Sequence, residues 1–195
     1  MNLTEMSARV RRDLQDTDST NYRWTDTEVN EAIERVVREF SLAYPKQEQS
    51  ELDTTNGSKE LDISSLTSLL KVFSVEFPLD LEPPYYQYFA IWGTKLFMTD
   101  KGDGTKARVK WGKLHTLVSD SSTIPIQFDE IIVLGATGYL AISASVYTVD
   151  RATISGRYAT ADFLNWGKER LDHYKRQLKH IALSNRVIQT ELYSE

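Results

Sequence analysis

The chain has 195 residues, of which 41% are hydrophobic and 26% charged, and these are the proportions of an ordinary globular protein. Its formal net charge of -5 argues against a general nucleic-acid binder, because attraction to phosphate requires a basic surface. The absence of cysteine excludes disulfides, thiol catalysis and cysteine-ligated metals.

The N-terminal segment MNLTEMSARVRRD has no long apolar core, so it does not resemble a signal peptide. No apolar run reaches the roughly 20 residues that a membrane-spanning helix requires. The longest apolar region, Ile131 to Val149, is diluted by Gly, Ser and Thr, and we interpret it as a helix buried in protein. We therefore expect a soluble protein that is made in the cytoplasm.

The first predicted helix starts after Asn2, whose side chain can cap it, and Glu5 lies in its first turn. Its apolar stripe recurs at spacings of three and four residues and consists of Leu3, Met6, Val10 and Leu14. Three arginines are expected to lie away from this stripe: Arg9, Arg11 and Arg12. The turn-forming segment DTDSTN then ends the helix.

The second predicted helix has clear signals at both ends. Thr25 and Glu28 form a T-x-x-E capping box, and Trp24 and Val29 occupy the positions of a hydrophobic staple. Pro45 marks its exit. The predicted buried face consists of Val29, Ile33, Val36, Val37, Phe40 and Tyr44.

From Gln49 to Val118 the pattern alternates, which predicts strands. Asn56-Gly57 between two short strand-like runs predicts a hairpin, and a second tight turn is expected at Trp92-Gly93-Thr94. Three prolines restrict the neighbouring strand to an edge or an end of its sheet: Pro78, Pro83 and Pro84. The final strand is expected to contain Val109, Trp111, Leu114 and Leu117.

Helical periodicity returns after Pro125. The predicted long helix presents Phe128, Ile131, Ile132, Ala136, Tyr139, Leu140, Ser143 and Val146. Its small residues, Gly135, Gly138 and Ala141, would let a helix of this subunit or of another approach closely. Thr160 or Asp162 is expected to cap a last helix. The apolar stripe of that helix is Phe163, Leu171, Tyr174, Leu178 and Ile181.

The predicted fold class is α+β, with a four-helix bundle-like core and an antiparallel all-β module inserted between the second and third helices. Residues 1–48 form the N-terminal helical half of the core, and residues 49–122 form the β insertion. Residues 123–184 form the C-terminal helical half. An extended C-terminal arm, residues 185–195, completes the predicted organisation.

The sequence offers no catalytic or metal-binding pattern. His115 is expected in a strand, while His173 and His180 lie about 10 Å apart along a helix, too far to share a metal. Asp100 and Asp103 in DKGDG lack the remaining ligands of a calcium loop and are interpreted as a turn. We therefore predict no catalytic, cofactor-binding or metal-binding residue, no cofactor, and a protein that is not an enzyme.

Two surfaces are candidates for binding a partner. The last helix carries a basic surface that is either a solvated face or a contact for an acidic partner or for passing DNA: Lys168, Arg170, Lys175, Arg176 and Lys179. The C-terminal arm is richer in apolar residues than a disordered tail usually is, which favours docking elsewhere. Its candidate docking residues are Arg186, Val187, Ile188, Leu192 and Tyr193.

The order of these motifs resembles that of the head–tail adaptor (connector) proteins of tailed bacteriophages. The resembling stretches cover nearly the whole chain: RVRRDLQDTDSTNYRWTDTEVNEAIERVVREFSLAYP, VEFP, WGKLHTL, STIPIQFDEIIVLGATGYLA, NWGKERLDHYKRQLKHI and a tail that ends in LY. The resemblance implies a helix-bundle core, no catalytic residues and a twelvefold ring of identical subunits. It further implies a virion protein at the head–tail interface, which docks by its C-terminal segment beneath the portal protein and extends the DNA channel. The next neck or tail protein would be a further partner, and contact with passing DNA would be transient.

The β insertion departs from the simplest form of this family, in which adaptors are small helical bundles. It could contact a neighbouring subunit, the capsid opening or the next tail component, and we expect it on the outside of the ring. Its aromatic residues are interpreted as the core of a small sheet: Tyr85, Tyr86, Tyr88, Phe89, Trp92 and Phe97. Two alternatives stay open, another neck or tail-terminator protein, and a peptide- or sugar-binding module that uses these aromatics.

Overall fold

The computed structural model describes residues 1–149 and 157–186 of the chain. They form two compact units, and each is described by itself. The helical unit comprises Met1–Tyr44 and His115–Arg186, and the sheet unit comprises Pro45–Leu114.

Helices precede and follow the strands in the chain. In the described part the helices are α1 (Leu3–Asp13), α2 (Asp26–Ala43), α3 (Asp129–Val149) and α4 (Arg157–Arg186), with a short 3-10 helix at Ile126–Phe128. The strands are β1 (Lys46–Asp53), β2 (Glu60–Asp62), β3 (Leu69–Glu76), β4 (Phe89–Trp92), β5 (Lys95–Met98) and β6 (Lys106–Lys113). The mixed helix and sheet class, with an antiparallel module between the second and third helices, is confirmed.

Both N-terminal helices begin with a complete capping box. In each, the side chain of the capping residue accepts a hydrogen bond from the backbone amide of a glutamate, and the side chain of that glutamate accepts one from the backbone amide of the capping residue. The pairs are Asn2 with Glu5 in α1 and Thr25 with Glu28 in α2. Each pair satisfies two amides that would otherwise lack a partner at a helix start. The predicted start of both helices is therefore confirmed.

Arg11 does not lie away from the core as its spacing predicts, because the chain after α1 turns back over it. Its side chain donates to Asp16 Oδ2 at 2.6 Å, to Asp26 Oδ1 at 2.7 Å and to the carbonyl of Trp24 at 3.0 Å. The residue is only 6% exposed. A buried, ion-paired arginine thus links α1 to the start of α2.

One hydrophobic cluster draws on all four helices of the helical unit. It contains Met6 and Val10 from α1, Val36 and Phe40 from α2, and further residues from the other two helices. The closer arrangement of these helices as a four-helix bundle stays a prediction.

The small residues of α3 admit neighbouring helices, as predicted, and the neighbours belong to the same subunit. A Cβ on Gly135 would lie 2.9 Å from Val36 Cγ1 of α2. A Cβ on Gly138 would lie 3.1 Å from the backbone nitrogen of Leu171 in α4, so a side chain there would press directly on that helix.

Helix α3 is also the most apolar element. Within the described residues, the window Ile126–Ala144 is long and apolar enough, by length and composition, to cross a membrane. Half of that window is buried inside the fold. The core helix of a soluble protein meets the same criterion.

The sheet unit contains two three-stranded antiparallel sheets among its described residues, with strand orders β1-β6-β3 and β2-β5-β4. The predicted hairpin at Asn56-Gly57 is wrong. Gly57 does lie in a turn with a positive φ of 77°, but β1 before it pairs with β6 and β2 after it pairs with β5. The predicted turn at Gly93 is confirmed, since β4 and β5 pair across it.

The prolines act on β3 as expected. This strand lies at the edge of its sheet and ends at Glu76, just before Phe77 and Pro78. A compact apolar cluster fills the sheet unit and includes Leu61, Val75, Leu96, Val109 and Trp111.

Candidate functional site

The basic surface of the last helix lies on α4, whose packing fixes which side of it faces outward. Its inward side chains include Leu171 and Tyr174, and the hydroxyl of Tyr174 donates to the carbonyl of Val36 at 3.0 Å. Burial raises the pKa of Tyr174 far above that of a free tyrosine. Burial likewise raises the pKa of Tyr139 in α3, to about 12, with a further contribution from Glu39, which accepts from its hydroxyl. Helix α4 is thus held on one side by a neutral, tightly packed contact.

Four of the five predicted cations project outward from α4. Lys168, Lys175, Arg176 and Lys179 are exposed, and no ion pair joins any of them to another described residue. They differ in this from the exposed arginines of α2, Arg35 and Arg38, each of which pairs with a glutamate one turn away. The charge of these four side chains is therefore available to a partner.

Arg170 has a different place. Its Nη2 donates to Asp13 of α1 at 2.7 Å and its Nε donates to the hydroxyl of Thr137 in α3 at 2.8 Å. Its guanidinium also lies 4.7 Å from the ring centroid of Trp166. Arg170 joins three helices of its own subunit, so its charge is already engaged within the subunit.

Two histidines lie beside these cations. His173, Arg176, Gln177 and His180 line one shallow groove on the outward side of α4, and a hydrogen bond of 3.1 Å joins the Nε2 atoms of His173 and Gln177. The spacing argument from the sequence addressed only a shared metal. A spacing of seven residues also lets two side chains share a helix face, and both histidines line one groove with Arg176.

The third histidine, His115, lies just after β6 rather than in a strand. It is buried, with Nδ1 at 2.9 Å from the carbonyl oxygen of Thr123 and Nε2 at 2.9 Å from that of Tyr44. Its backbone amide donates to the hydroxyl of Ser41. These contacts bind the end of α2 to the 115–123 loop, which is a structural role.

The candidate docking arm falls mostly outside the described residues. Helix α4 continues through Arg186, so the backbone of that residue is helical. The other four candidate docking residues are not described: Val187, Ile188, Leu192 and Tyr193. At its other end α4 begins at Arg157, before both predicted caps, Thr160 and Asp162.

Five of the six aromatic residues that were expected in the core of the sheet unit lie at its surface. Tyr88 is 87% exposed and Trp92 is 83% exposed. The exposed set, which we call the aromatic surface, is Tyr85, Tyr86, Tyr88, Trp92 and Phe97. Phe89 alone packs against the cluster of the sheet unit. The prediction of a buried aromatic core is therefore wrong for five of these six residues.

The strand register explains this exposure. Trp92 pairs with Lys95 across the β4–β5 hairpin, whereas Leu96 and Met98, on the opposite face of β5, are buried. Cross-strand partners share a face and successive residues alternate, so Trp92 and Lys95 share the solvent face of the sheet. An exposed apolar surface of this kind is typical of sites that contact another protein.

Several acidic groups of the sheet unit have partners within the unit. Arg108 bonds Glu51, Glu76 and Asp80 at 3.2 to 3.4 Å. Asp103, in the segment that was compared with a calcium loop, accepts from both the amide and the hydroxyl of Thr105, and these bonds lower its pKa. No group of three or more potential ligands among the described residues could hold a metal ion.

The comparisons with known proteins agree with the sequence resemblance. The model of the SU10 adaptor protein family matches residues 1–176, which include both N-terminal helices, the sheet unit and most of α4. The matched region ends before Lys179 and His180. A comparison with curated proteins finds no match. The family match spans most of the 195 residues and agrees with the predicted helix order, so the chain belongs to the SU10 adaptor protein family, a family of structural phage head–tail adaptors rather than of enzymes.

Proposed function

We propose that this virion protein docks as a ring onto the portal protein and extends the DNA channel toward the tail. The observation that carries the proposal is the adaptor family match over residues 1–176. The adaptor would be made in the host cytoplasm and would act at the head–tail interface of the particle. A rigid helical unit with no catalytic constellation in its described part suits this structural role.

The contact with the portal is assigned to the C-terminal arm. The arm, residues 185–195, begins in the last two residues of α4, and in VIQTELY two apolar pairs flank three polar residues. Such a segment can bind another chain by adding a strand or by forming a helix on contact. Arg186 would add a charged contact at the base of the arm.

The contact with neighbouring copies closes the ring, and the resemblance implies twelve copies. A ring needs two different surfaces on each subunit that complement each other, because its interfaces are head-to-tail. The aromatic surface of the sheet unit supports such a contact or one with the next neck or tail protein.

The test is a binding experiment between the purified protein and its purified portal. Deletion of residues 186–195 should leave the helical content and the unfolding midpoint unchanged, but should abolish binding to the portal. A full-length variant that replaces Val187, Ile188, Leu192 and Tyr193 by serine is the matched control for length, and it should fail in the same way. Unchanged binding by both variants would refute the docking arm.

Electron microscopy of the mixture tests the ring. An adaptor should form a closed ring on the portal, whereas a tail-terminator protein should bind tail tubes instead. A peptide- or sugar-binding module should remain a small oligomer and bind neither. The last two outcomes would each replace the proposed function.

A further inference from the structure

We propose that the outward face of α4 from His173 to His180 is a contact surface for the phosphate backbone of a nucleic acid. The inference deepens the adaptor function and rests on it only for the source of the nucleic acid, which would be the DNA in the channel. It names the groups that make the contact, two of which were not among the predicted site residues.

Beyond Asp172 the charge of this face is positive. From His173 to Ser184 the chain has no Asp or Glu, and it has Lys175, Arg176 and Lys179. All three cations are exposed and lack an ion pair with any described residue. The acidic residues of the same helix face, Glu169 and Asp172, precede this stretch. Three like charges within five residues repel one another, and a bound anion would offset this repulsion.

The helix dipole does not account for these cations. A cation favours the C-terminal end of a helix only within its last turn. Helix α4 ends at Arg186, and Lys179 and Arg176 lie seven and ten residues before it. Their position therefore has no such local explanation.

The groove that Arg176 lines offers hydrogen-bond donors to a ligand. His173, Arg176, Gln177 and His180 line it, and each can donate from a side-chain nitrogen. Phosphate oxygens only accept hydrogen bonds, so a surface of donors complements a phosphodiester backbone.

The same groove is poorly suited to a protein partner. Protein interfaces depend on apolar or aromatic anchors that are buried at their centre. None of the four lining residues is apolar, and Leu183, an exposed apolar residue of α4, lies beyond the groove. The aromatic surface of the sheet unit has anchors of that kind and this face does not. Binding to phosphate requires only charge and donors.

The experiment measures binding of the full-length protein to a labelled DNA duplex at pH 8, from 50 to 200 mM salt. Three phosphate contacts predict a slope of log affinity against log salt of about -2.7, which is roughly a 40-fold loss across this range. The variant Lys175→Gln/Arg176→Gln/Lys179→Gln should bind weakly with a slope near zero. The single variant Lys175→Gln should reduce the slope by about one.

The matched control removes the same charge from the sheet unit. Lys59, Lys101 and Lys106 are exposed and have no ion pair with a described residue. Their replacement by glutamine changes the net charge of the protein as much as the α4 triple variant does. Because these lysines lie outside the proposed contact, the affinity for DNA and the salt slope should stay at the wild-type values. Circular dichroism and a thermal melt verify that each variant is folded.

Two results would overturn the inference. These are no DNA binding by the wild type at 50 mM salt, and an equal loss in the control and α4 variants. A loss of portal binding by the α4 variant without a loss of DNA binding would assign the face to a protein, which also overturns it. Failure of the C-terminal deletion test refutes the docking arm alone and leaves the DNA result standing.

Discussion

The helical unit and the sheet unit differ in the burial of their aromatic side chains. In the helical unit Phe40 and Tyr174 are fully buried and Trp24 is nearly so. In the sheet unit Tyr88 and Trp92 are almost fully exposed. A large apolar side chain that stays in water forgoes roughly 1.5–3 kcal/mol of burial, so its exposure is informative where it is concentrated in one surface.

The difference separates two uses of the same residue types. The aromatic residues of the helical unit fill space between helices, and their positions follow from packing. The aromatic surface contributes little to the cluster of the sheet unit, which is built mainly from aliphatic residues together with Phe77 and Trp111. We therefore expect the helical unit to be sensitive to substitutions in its interior and the aromatic surface to be sensitive only when a partner is present.

The largest effect is expected for Arg11→Met in the helical unit. The substitution leaves the buried carboxylate of Asp16 without its cation, and breaking a buried pair in this way costs about 3–5 kcal/mol. Arg9→Met is the matched control, since Arg9 pairs with the exposed Glu130 and should cost less than about 1 kcal/mol.

Urea unfolding followed by circular dichroism measures both arginine variants. The double variant Arg11→Met/Asp16→Asn should recover part of the loss, because no unpaired charge remains buried. Equal stability of the two single variants would show that the ion pair does not hold α1 to α2.

A smaller effect, about 2–3 kcal/mol, is expected for Gly138→Val. The new side chain would meet backbone atoms of Gly167 and Leu171 at 3.1 to 3.2 Å, and backbone cannot move aside as a flexible side chain can. Ala161→Val, at an exposed position of α4, is the control and should be nearly neutral. If both variants melt at the same temperature, α3 and α4 do not pack at this distance in solution.

These two sites show which parts of the fold could be predicted from the sequence. The capping boxes join residues within one helical turn, so they can be recognised from the sequence. The small residues of α3 can be recognised as well, because they are the residue types that let a neighbouring helix come close. The burial of Arg11 depends on the return of the chain after α1, and the spacing of residues within a helix carries no information about that return.

The sheet unit shows the same division between local and distant contacts. Gly57 and Gly93 were both correctly assigned to turns, but only the second turn joins paired strands. Strand β1 pairs with β6, more than fifty residues away in the chain, and turn chemistry cannot specify such a partner. The exposure of Trp92 follows from which face of the β4–β5 hairpin packs against the cluster of the sheet unit, so an interpretation by residue type alone placed it in the core.

The candidate site was predictable in composition and only partly in geometry. The cations of α4 follow from its helical stripe, which assigns Leu171 and Tyr174 to the core. Arg170 is not among the unpaired cations because it bonds Asp13 of α1, a contact between distant parts of the chain. The groove that His173 and His180 line together is visible only in the structure.

Alkaline pH distinguishes the buried tyrosines of the helical unit from the exposed ones of the sheet unit. Burial raises the pKa of Tyr174, so above about pH 10 an unfolded tyrosine loses its proton while Tyr174 in the fold keeps it. The folded state then binds more protons, and stability falls as pH rises, by about 1.4 kcal/mol per pH unit for each such group. Tyr139 adds to this fall until its pKa of about 12 is passed.

The variant Tyr174→Phe should therefore lose about 1 kcal/mol at pH 7, the usual cost of a hydrogen bond, and should lose less stability than the wild type between pH 10 and 11. Tyr88→Phe makes the same chemical change at an exposed ring and should leave the pH dependence unchanged. Thermal melts across this pH range measure both variants. Parallel curves for Tyr174→Phe and the wild type would contradict the buried, neutral state of this tyrosine.

The smallest effect is expected at the aromatic surface. Trp92→Ser should change stability by less than about 0.5 kcal/mol, because the ring is 83% exposed and buries little on folding. Trp111→Ser, in the same unit, should cost about 3–5 kcal/mol, because that ring is buried and its Nε1 donates to Ser50 at 3.0 Å. A large loss from Trp92→Ser would mean that the ring packs within its own subunit and is not available to a partner. Unchanged stability of Trp92→Ser in the free protein, combined with weaker assembly on the portal, would instead place Trp92 in a contact that exists only in the particle. The exposed aromatic residues of the sheet unit would then serve binding, whereas the buried ones of the helical unit serve stability.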